Sequence, residues 1–144
     1  LHETMPPHLR QADGWYEEDC DWARVVTAFP DRFDAKMRQD ADETLRNWAP
    51  GAWQLCHGRD LLLGESYMND KRLFDVAHTD DWIVIAATGD WDTGVPPGMV
   101  RAVATLGGRR GDVPERSFLV SAIQYDQRAP FGFVIDLVRH VEEK

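Results

Sequence analysis

The chain has 144 residues, 43% hydrophobic and 28% charged, with a formal net charge of −9, proportions that fit one soluble globular domain around a single core. No apolar run approaches the ~18 residues of a membrane span, the N-terminus lacks the basic and apolar regions of a secretory signal, and two cysteines are too few for a disulfide framework. A cytoplasmic protein with reduced thiols is the expectation.

The acidity is concentrated early. Residues 1–43 hold five basic and eleven acidic side chains, residues 44–100 four and eight, and residues 101–144 seven and six. A chain whose first half is acidic is not expected to bind duplex nucleic acid directly, because that needs a basic footprint against phosphate. It suits a basic protein partner, and simple solubility also accounts for it. Leu1 is not a natural initiator, which leaves room for a preceding segment or a larger parent protein.

In chain order, Trp22, Val25, Val26 and Phe29 recur at i, i+3, i+4 and i+7, one face of a helix. This helix is predicted to begin near Glu17, with Asp13 as a cap, and to end before Pro30. Glu17, Glu18, Asp19 and Asp21 then fall in its first turns, where the helix dipole favours negative charge. A second helix is predicted from about Asp34 to Ala49, carrying Phe33, Met37, Ala41, Leu45 and Trp48 at steps of four or three, capped by Asp31 or Asp34 and stopped at Pro50-Gly51. A short third helix over Ala52 to His57 is closed by Gly58. Residues 58–75 fit either a short buried strand at Leu61 to Leu63 or a turn of helix.

From Asp81 the texture becomes β-rich. Trp82 to Ala87 reads as a central strand, Met99 to Leu106 and Ser117 to Val120 as two more, and Phe131 to Asp136 as the last. Gly107-Gly108-Arg109-Arg110-Gly111-Asp112 is a hairpin connection, and Gln124-Tyr125-Asp126 a short helix or loop. Strands joined by short turns imply antiparallel pairing. The expected fold is α+β, a single domain with N-terminal helices (about 15–57) packed on a small C-terminal antiparallel β-sheet (about 81–136).

Three stretches carry a resemblance. The first is Gly14-Trp15-Tyr16-Glu17-Glu18-Asp19-Cys20-Asp21-Trp22-Ala23 running on to Phe29-Pro30, and the second Thr44-Leu45-Arg46-Asn47-Trp48 with Pro50. The third runs from Asp81-Trp82-Ile83-Val84-Ile85 through Gly107-Gly108-Arg109-Arg110 and Glu115 to Val120, ending at Phe131 to Asp136 and His140. Together they resemble a domain of unknown function found in hypothetical proteins of proteobacterial plasmids, phages and other mobile elements. The resemblance implies a bacterial cytoplasmic context and no mechanism. In that context, small acidic proteins that interfere with host nucleic-acid machinery are a class to consider, by analogy.

Several constellations bear on chemistry. Cys20, Cys56 and His57 could supply three zinc ligands, but no Cys-x-x-Cys pair is present, and two cysteines serving as small apolar side chains is the simpler account. No metal and no cofactor is expected. His78, Asp80, Asp81, Asp90 and Asp92 flank the first strand and would suit a divalent cation in a hydrolase or nuclease, although such residues are also ordinary at strand ends. Gly64-Glu65-Ser66 lacks the second glycine of a nucleophile elbow. Acidic neighbours blunt Cys20, whereas Cys56 beside His57 is the better thiolate candidate. Arg109 and Arg110 could offer guanidinium groups to phosphate or to an acidic partner.

Among the aromatics, helical spacing assigns Trp22 and Trp48 to the core, and Trp82 is expected to be buried. Trp15, Tyr16 and Trp91 are left as candidates for an exposed contact surface. The leading expectation is an interaction module that meets a protein partner through Trp15, Tyr16, Glu17, Glu18, Asp19 and Asp21, with Trp91, Arg109 and Arg110 as further contacts. The alternatives are the divalent-metal hydrolase and a domain or subunit of a larger protein.

Overall fold

In a computed structural model, which describes residues 2–143, the chain divides into two compact units with the boundary between Arg72 and Leu73. Helices come first and a four-stranded antiparallel sheet follows, an α+β arrangement.

The first unit contains α1 (Trp22–Ala28), α2 (Ala35–Trp48), α3 (Pro50–His57) and the opening turns of α4 (Tyr67–Ala77), preceded by two 3-10 turns at His2–Thr4 and Pro7–Leu9. Its core joins Ala23 and Val26 of α1, Ala41 and Leu45 of α2, and Ala52 and Trp53 of α3 with Leu61. Met5 and Leu9 complete it, each only 1% exposed, so the proline-rich N-terminal arm is part of the packing. Arg10 fastens the arm by donating to the carbonyl oxygens of Met5 (2.7 Å) and Glu3 (2.8 Å).

Helix α1 begins at Trp22 rather than near Glu17. Asp13 does not cap it; its carboxylate accepts from the Trp15 amide at 3.0 Å, an Asx turn that, with Gly14 at φ +75°, keeps this stretch out of the helix. Only Asp21 reaches the N-cap position, and the dipole falls off within the first turn. The dipole therefore accounts for none of Glu17, Glu18 and Asp19. Helix α2 follows expectation more closely. Asp34 caps it, accepting from the Met37 amide at 2.8 Å. Pro50 does not merely end α2; it opens α3 at N1, where no amide hydrogen is needed. Gly58 closes α3 in the left-handed conformation.

The segment that fitted strand or helix has no strand at Leu61–Leu63. Leu61 is buried in a loop, held by Glu65, which accepts from Arg59 at 2.8 and 2.9 Å and from the Leu62 amide. Those bonds, Arg59 first, hold the Glu65 carboxyl down to about 2. Ser66 is 1% exposed; its hydroxyl donates to the Arg46 carbonyl at 2.6 Å and accepts from the Asn69 amide at 3.3 Å, a helix-capping role at the start of α4.

In the second unit, β1 (Trp82–Gly89), β2 (Met99–Leu106), β3 (Glu115–Ser121) and β4 (Val141–Glu142) lie in the order β1-β2-β3-β4, with the short helix α5 (Ala122–Asp126) after β3. One face carries a small core of Ala102, Ala104, Phe118, Val120 and Ile135, with Trp82, Val84, Tyr125 and Phe133 against it. β1 is the end strand of the order, not a central one. Its outer edge is covered by 131–136, which forms isolated bridges instead of the expected last strand. Phe133 accepts from the Val84 amide (3.0 Å) and Ile135 donates to the Trp82 carbonyl (2.8 Å), so an irregular segment satisfies an edge that would otherwise invite association. The register of β1 against β2 slips between Val84 and Ala86, leaving Ile85 as a bulge. β4 is tied down by Arg101 to Glu143 and Arg116 to Glu142.

Candidate functional site

The acidic aromatic stretch separates into a structural and a free part. Asp21 is half-buried and engaged: it accepts from Gln11 Nε2 (2.5 Å), Arg24 Nε (3.2 Å) and the Glu17 amide (3.4 Å). Tyr16 is also half-buried, and its hydroxyl meets His2 Nδ1 at 2.9 Å and accepts from the Gln11 amide at 3.3 Å. Glu17, Glu18 and Asp19 are exposed, and none of their carboxylates takes a hydrogen bond or ion pair among the described residues. Trp15 stands 78% exposed.

Beside them lies an open apolar groove of about 500 Å³. Trp22, Val25, Val26, Phe33 and Met37 form its apolar lining, with Tyr16, Glu17 and Glu18 completing it. Trp22 thus has two roles, packing against the core and offering a flank to the groove. Phe33 and Met37 lie on the face predicted for the second helix; Phe33 is half-buried against the core, whereas Met37 is exposed. Helical spacing places both on one face, but burial along that face is uneven. The expectation of a core Trp48 is corrected: it is 53% exposed and packs its ring on Tyr67, centroids 5.4 Å apart.

A second depression of about 430 Å³ gathers His8, Arg38, Asp42, Cys56 and His57 over an apolar lining that includes Leu9, Val26 and Leu55. The Cys56 thiol meets Nε2 of His8 at 3.3 Å, not the imidazole of its sequence neighbour. Residues 55–57 project differently from α3, and His57 instead stacks on Trp53 (4.0 Å between centroids) and reaches Asp42 at 2.8 Å. Asp42 also accepts from Trp53 Nε1 at 2.8 Å. Burial first, then the Asp42 carboxylate, pushes the Cys56 thiol up, with Arg24 opposing. Pairing of Cys56 with His8, 48 positions away, left no signal in the sequence. Cys20 and Cys56 are both free thiols.

The strand-flanking carboxylates do not converge. His78 and Asp81 form a 2.7 Å pair before β1, whereas Asp90 and Asp92 follow its far end, eight strand residues on, about 25 Å away at ~3.3 Å per residue. Asp90 is occupied by the Gly98 amide (2.8 Å) and Asp92 lies 3.7 Å from Arg101. Among the described residues no three His, Cys, Asp or Glu side chains form a group able to hold a metal ion.

In the second unit Trp91 is 82% exposed, its indole lying back over Gly89. Arg109 is exposed, and Arg110 reaches the carbonyl oxygen of the bulged Ile85 at 3.4 Å. The Gly107-Gly108 turn that carries them has φ values of +62° and +65°, and Thr105 secures it by donating to the Arg109 carbonyl at 2.7 Å.

No helix among the described residues is long and apolar enough to cross a membrane. No curated protein and no solved structure matches the chain. A family model described as "Domain of unknown function (DUF7007)" matches residues 1–79, the part that holds the acidic aromatic stretch, α1 to α4 and both depressions, while the third resembling stretch lies beyond it. Covering more than half of the 144 residues, that match makes the chain a member of this family of unknown function.

Proposed function

We propose that the chain is a protein-interaction module that takes a basic, amphipathic segment of a partner against the apolar groove flanked by Glu17 and Glu18. The observation that carries this reading is the juxtaposition of unpaired Glu17 and Glu18 with the apolar side chains of Trp22, Val25, Phe33 and Met37. A helix with an apolar face and a lysine or arginine flank matches that surface in both shape and charge. Trp15 is the kind of exposed aromatic side chain that becomes a hot spot when covered. Asp19 extends the negative field without touching the groove, so it steers approach.

The setting we infer is the bacterial cytoplasm, and the chain's origin a plasmid, phage or other mobile element. The resemblance of the Gly14 to Ala23 stretch supports that origin, and the net charge of −9 suits a role in modulating a host nucleic-acid-handling or defence protein, whose basic surface is built to neutralise phosphate.

The test uses a synthetic amphipathic Leu/Lys helix as probe. Binding to the wild-type chain should weaken with added salt. It should fall at least about tenfold when Glu17, Glu18 and Asp19 are all changed to Lys, and a Leu/Glu helix should not bind. Affinity that survives the triple reversal would remove this surface from consideration.

A further inference from the structure

The depression containing Cys56 shares only Val26 with the groove just described and carries a different chemistry. Its thiol and the His8 imidazole, brought together from the N-terminal arm and the last turn of α3, lie 3.3 Å apart. Both residues are half-buried, so the pair is shielded and still reachable from the opening. Leu9, Val26 and Leu55 give the depression apolar walls, and Arg38 lines it with a guanidinium that forms no ion pair among the described residues.

We propose that Cys56 is an acyl-acceptor nucleophile with His8 as its base, and that the depression takes the acyl chain of a small thioester. Adjacent thiol and imidazole are the minimum needed for nucleophilic acyl transfer. The thiol rests protonated, because burial and Asp42 disfavour its anion. With the proton of a neutral imidazole on Nδ1, the thiol donates to Nε2.

In the reaction, Sγ attacks the thioester carbonyl carbon while its proton passes to His8 Nε2, and the carbonyl π electrons move to oxygen. Collapse of that adduct restores the carbonyl, breaks the carbon–sulfur bond of the donor, and sends the departing thiolate away with the proton from His8. One C–S bond forms and one breaks. The products are S-acyl Cys56 and a free thiol, with no oxidant or metal required.

A thioester fits better than an amide or ester. Exchange of one thiol for another is close to balanced, and the leaving thiolate is a weak base that needs little help to depart. The apolar walls suit a medium-length acyl chain, and Arg38 suits a donor whose leaving thiol carries negative charge.

Cys20 provides an internal comparison, because it is a free thiol of the same unit without an imidazole partner among the described residues. The intact chain would be incubated with the octanoyl thioester of thioglycolate, and acylation at each cysteine followed by peptide mass spectrometry. The expected result is acylation of Cys56 about a hundredfold faster than Cys20, the size of a positioned base. His8→Gln should bring Cys56 down to the Cys20 rate, and His57→Gln should leave Cys56 within about twofold. Replacing thioglycolate by the neutral N-acetylcysteamine donor should slow Cys56 and leave Cys20 unchanged.

Cys20 labelling also reports on folding: a variant that opens the unit raises it, and His8→Asn then takes the place of His8→Gln. Equal labelling of the two cysteines in the wild-type chain overturns the proposal, as does an undiminished Cys56 rate in a His8 variant that keeps Cys20 protected.

Discussion

Asp21 holds Gln11, ten residues earlier, through a 2.5 Å hydrogen bond from the amide nitrogen to its carboxylate. The same carboxylate takes Arg24 at 3.2 Å, so one acidic side chain ties the loop before α1 to the helix itself. Its three neighbours Glu17, Glu18 and Asp19 make no comparable contacts. A run of four carboxylates that looks uniform in sequence is therefore one structural residue and three free ones.

The two roles separate experimentally. Asp21→Ala strands Gln11 and Arg24 and should destabilise the first unit by about 1–3 kcal/mol, read as a lower urea midpoint at unchanged slope. Glu17→Gln, Glu18→Gln and Asp19→Asn together, or Trp15→Ala alone, should stay within about 0.5 kcal/mol, because nothing folded depends on them. A stability loss for the triple variant equal to that of Asp21→Ala would show that these carboxylates are structural after all.

What the sequence could convey depended on how local the cause was. Helix α2 was legible because its periodicity runs over fourteen residues and Asp34 caps it from the adjacent position. β1 to β3 were legible for the same reason, each with a dense run of β-forming side chains. Helix α4 was not, because its one buried residue is Asn69 and its surface lacks a clean apolar stripe. Met5 and Leu9 were missed because two core anchors among prolines make no periodic pattern. Phe131 to Asp136 has the alternation of a strand, yet only the edge of β1 is available to it, and it pairs there through one isolated bridge, Ile83 with Val134. For the candidate sites, residue types are visible and partners are not: Cys56 stands beside His57 in the sequence, and the structure brings it to the distant His8 instead.

Gly107 tests the hairpin that presents Arg109 and Arg110. At φ +62°, a Cβ there would sit 2.9 Å from the backbone oxygen of Thr79, whereas one at Gly98, φ +72°, would meet nothing within 4 Å. Both alanine variants suffer the left-handed backbone, about 1 kcal/mol or more, but only Gly107→Ala also forces backbone apart. Gly107→Ala should therefore unfold at a denaturant midpoint clearly below that of Gly98→Ala. Equal midpoints would mean that the turn shifts freely, and that Arg109 and Arg110 are not held in place by it.

The C-terminal strand should respond to acid. Arg116 beside Glu142 and Arg101 beside Glu143 hold both carboxyls below their ordinary value of 4.5. The folded state prefers their ionised forms, so their contribution is complete above about pH 4.5 and drains as pH falls through the lower folded values. The Glu143 amide donates to the Ser117 carbonyl at 2.9 Å. Its hydrogen-exchange protection, corrected for intrinsic rate, should be level from pH 7 to about 5 and decline below about 4.5. Arg101→Gln should lower that plateau and flatten the decline. A Glu143 amide equally protected at pH 3 and pH 7 would show that pairing within the sheet, not the charges, retains β4.

Asp42 offers a last separation, between support and chemistry in the Cys56 depression. Trp53 is a core residue at 4% exposure, and its indole N–H has Asp42 as its acceptor at 2.8 Å. Asp42→Ala leaves that donor buried without a partner and should cost about 1–3 kcal/mol. Asp42→Asn retains an acceptor oxygen and should recover most of it. Removing the negative charge also relieves one of the two influences that hold the Cys56 thiol up, so Asp42→Asn should make Cys56 react faster with iodoacetamide at fixed pH. The expected gain is small, a few-fold, because burial is the larger influence and stays in place. Stability restored by Asn together with a modest rise in thiol reactivity would assign Asp42 both effects; a Cys56 rate unchanged in Asp42→Asn would leave it as the indole's acceptor alone.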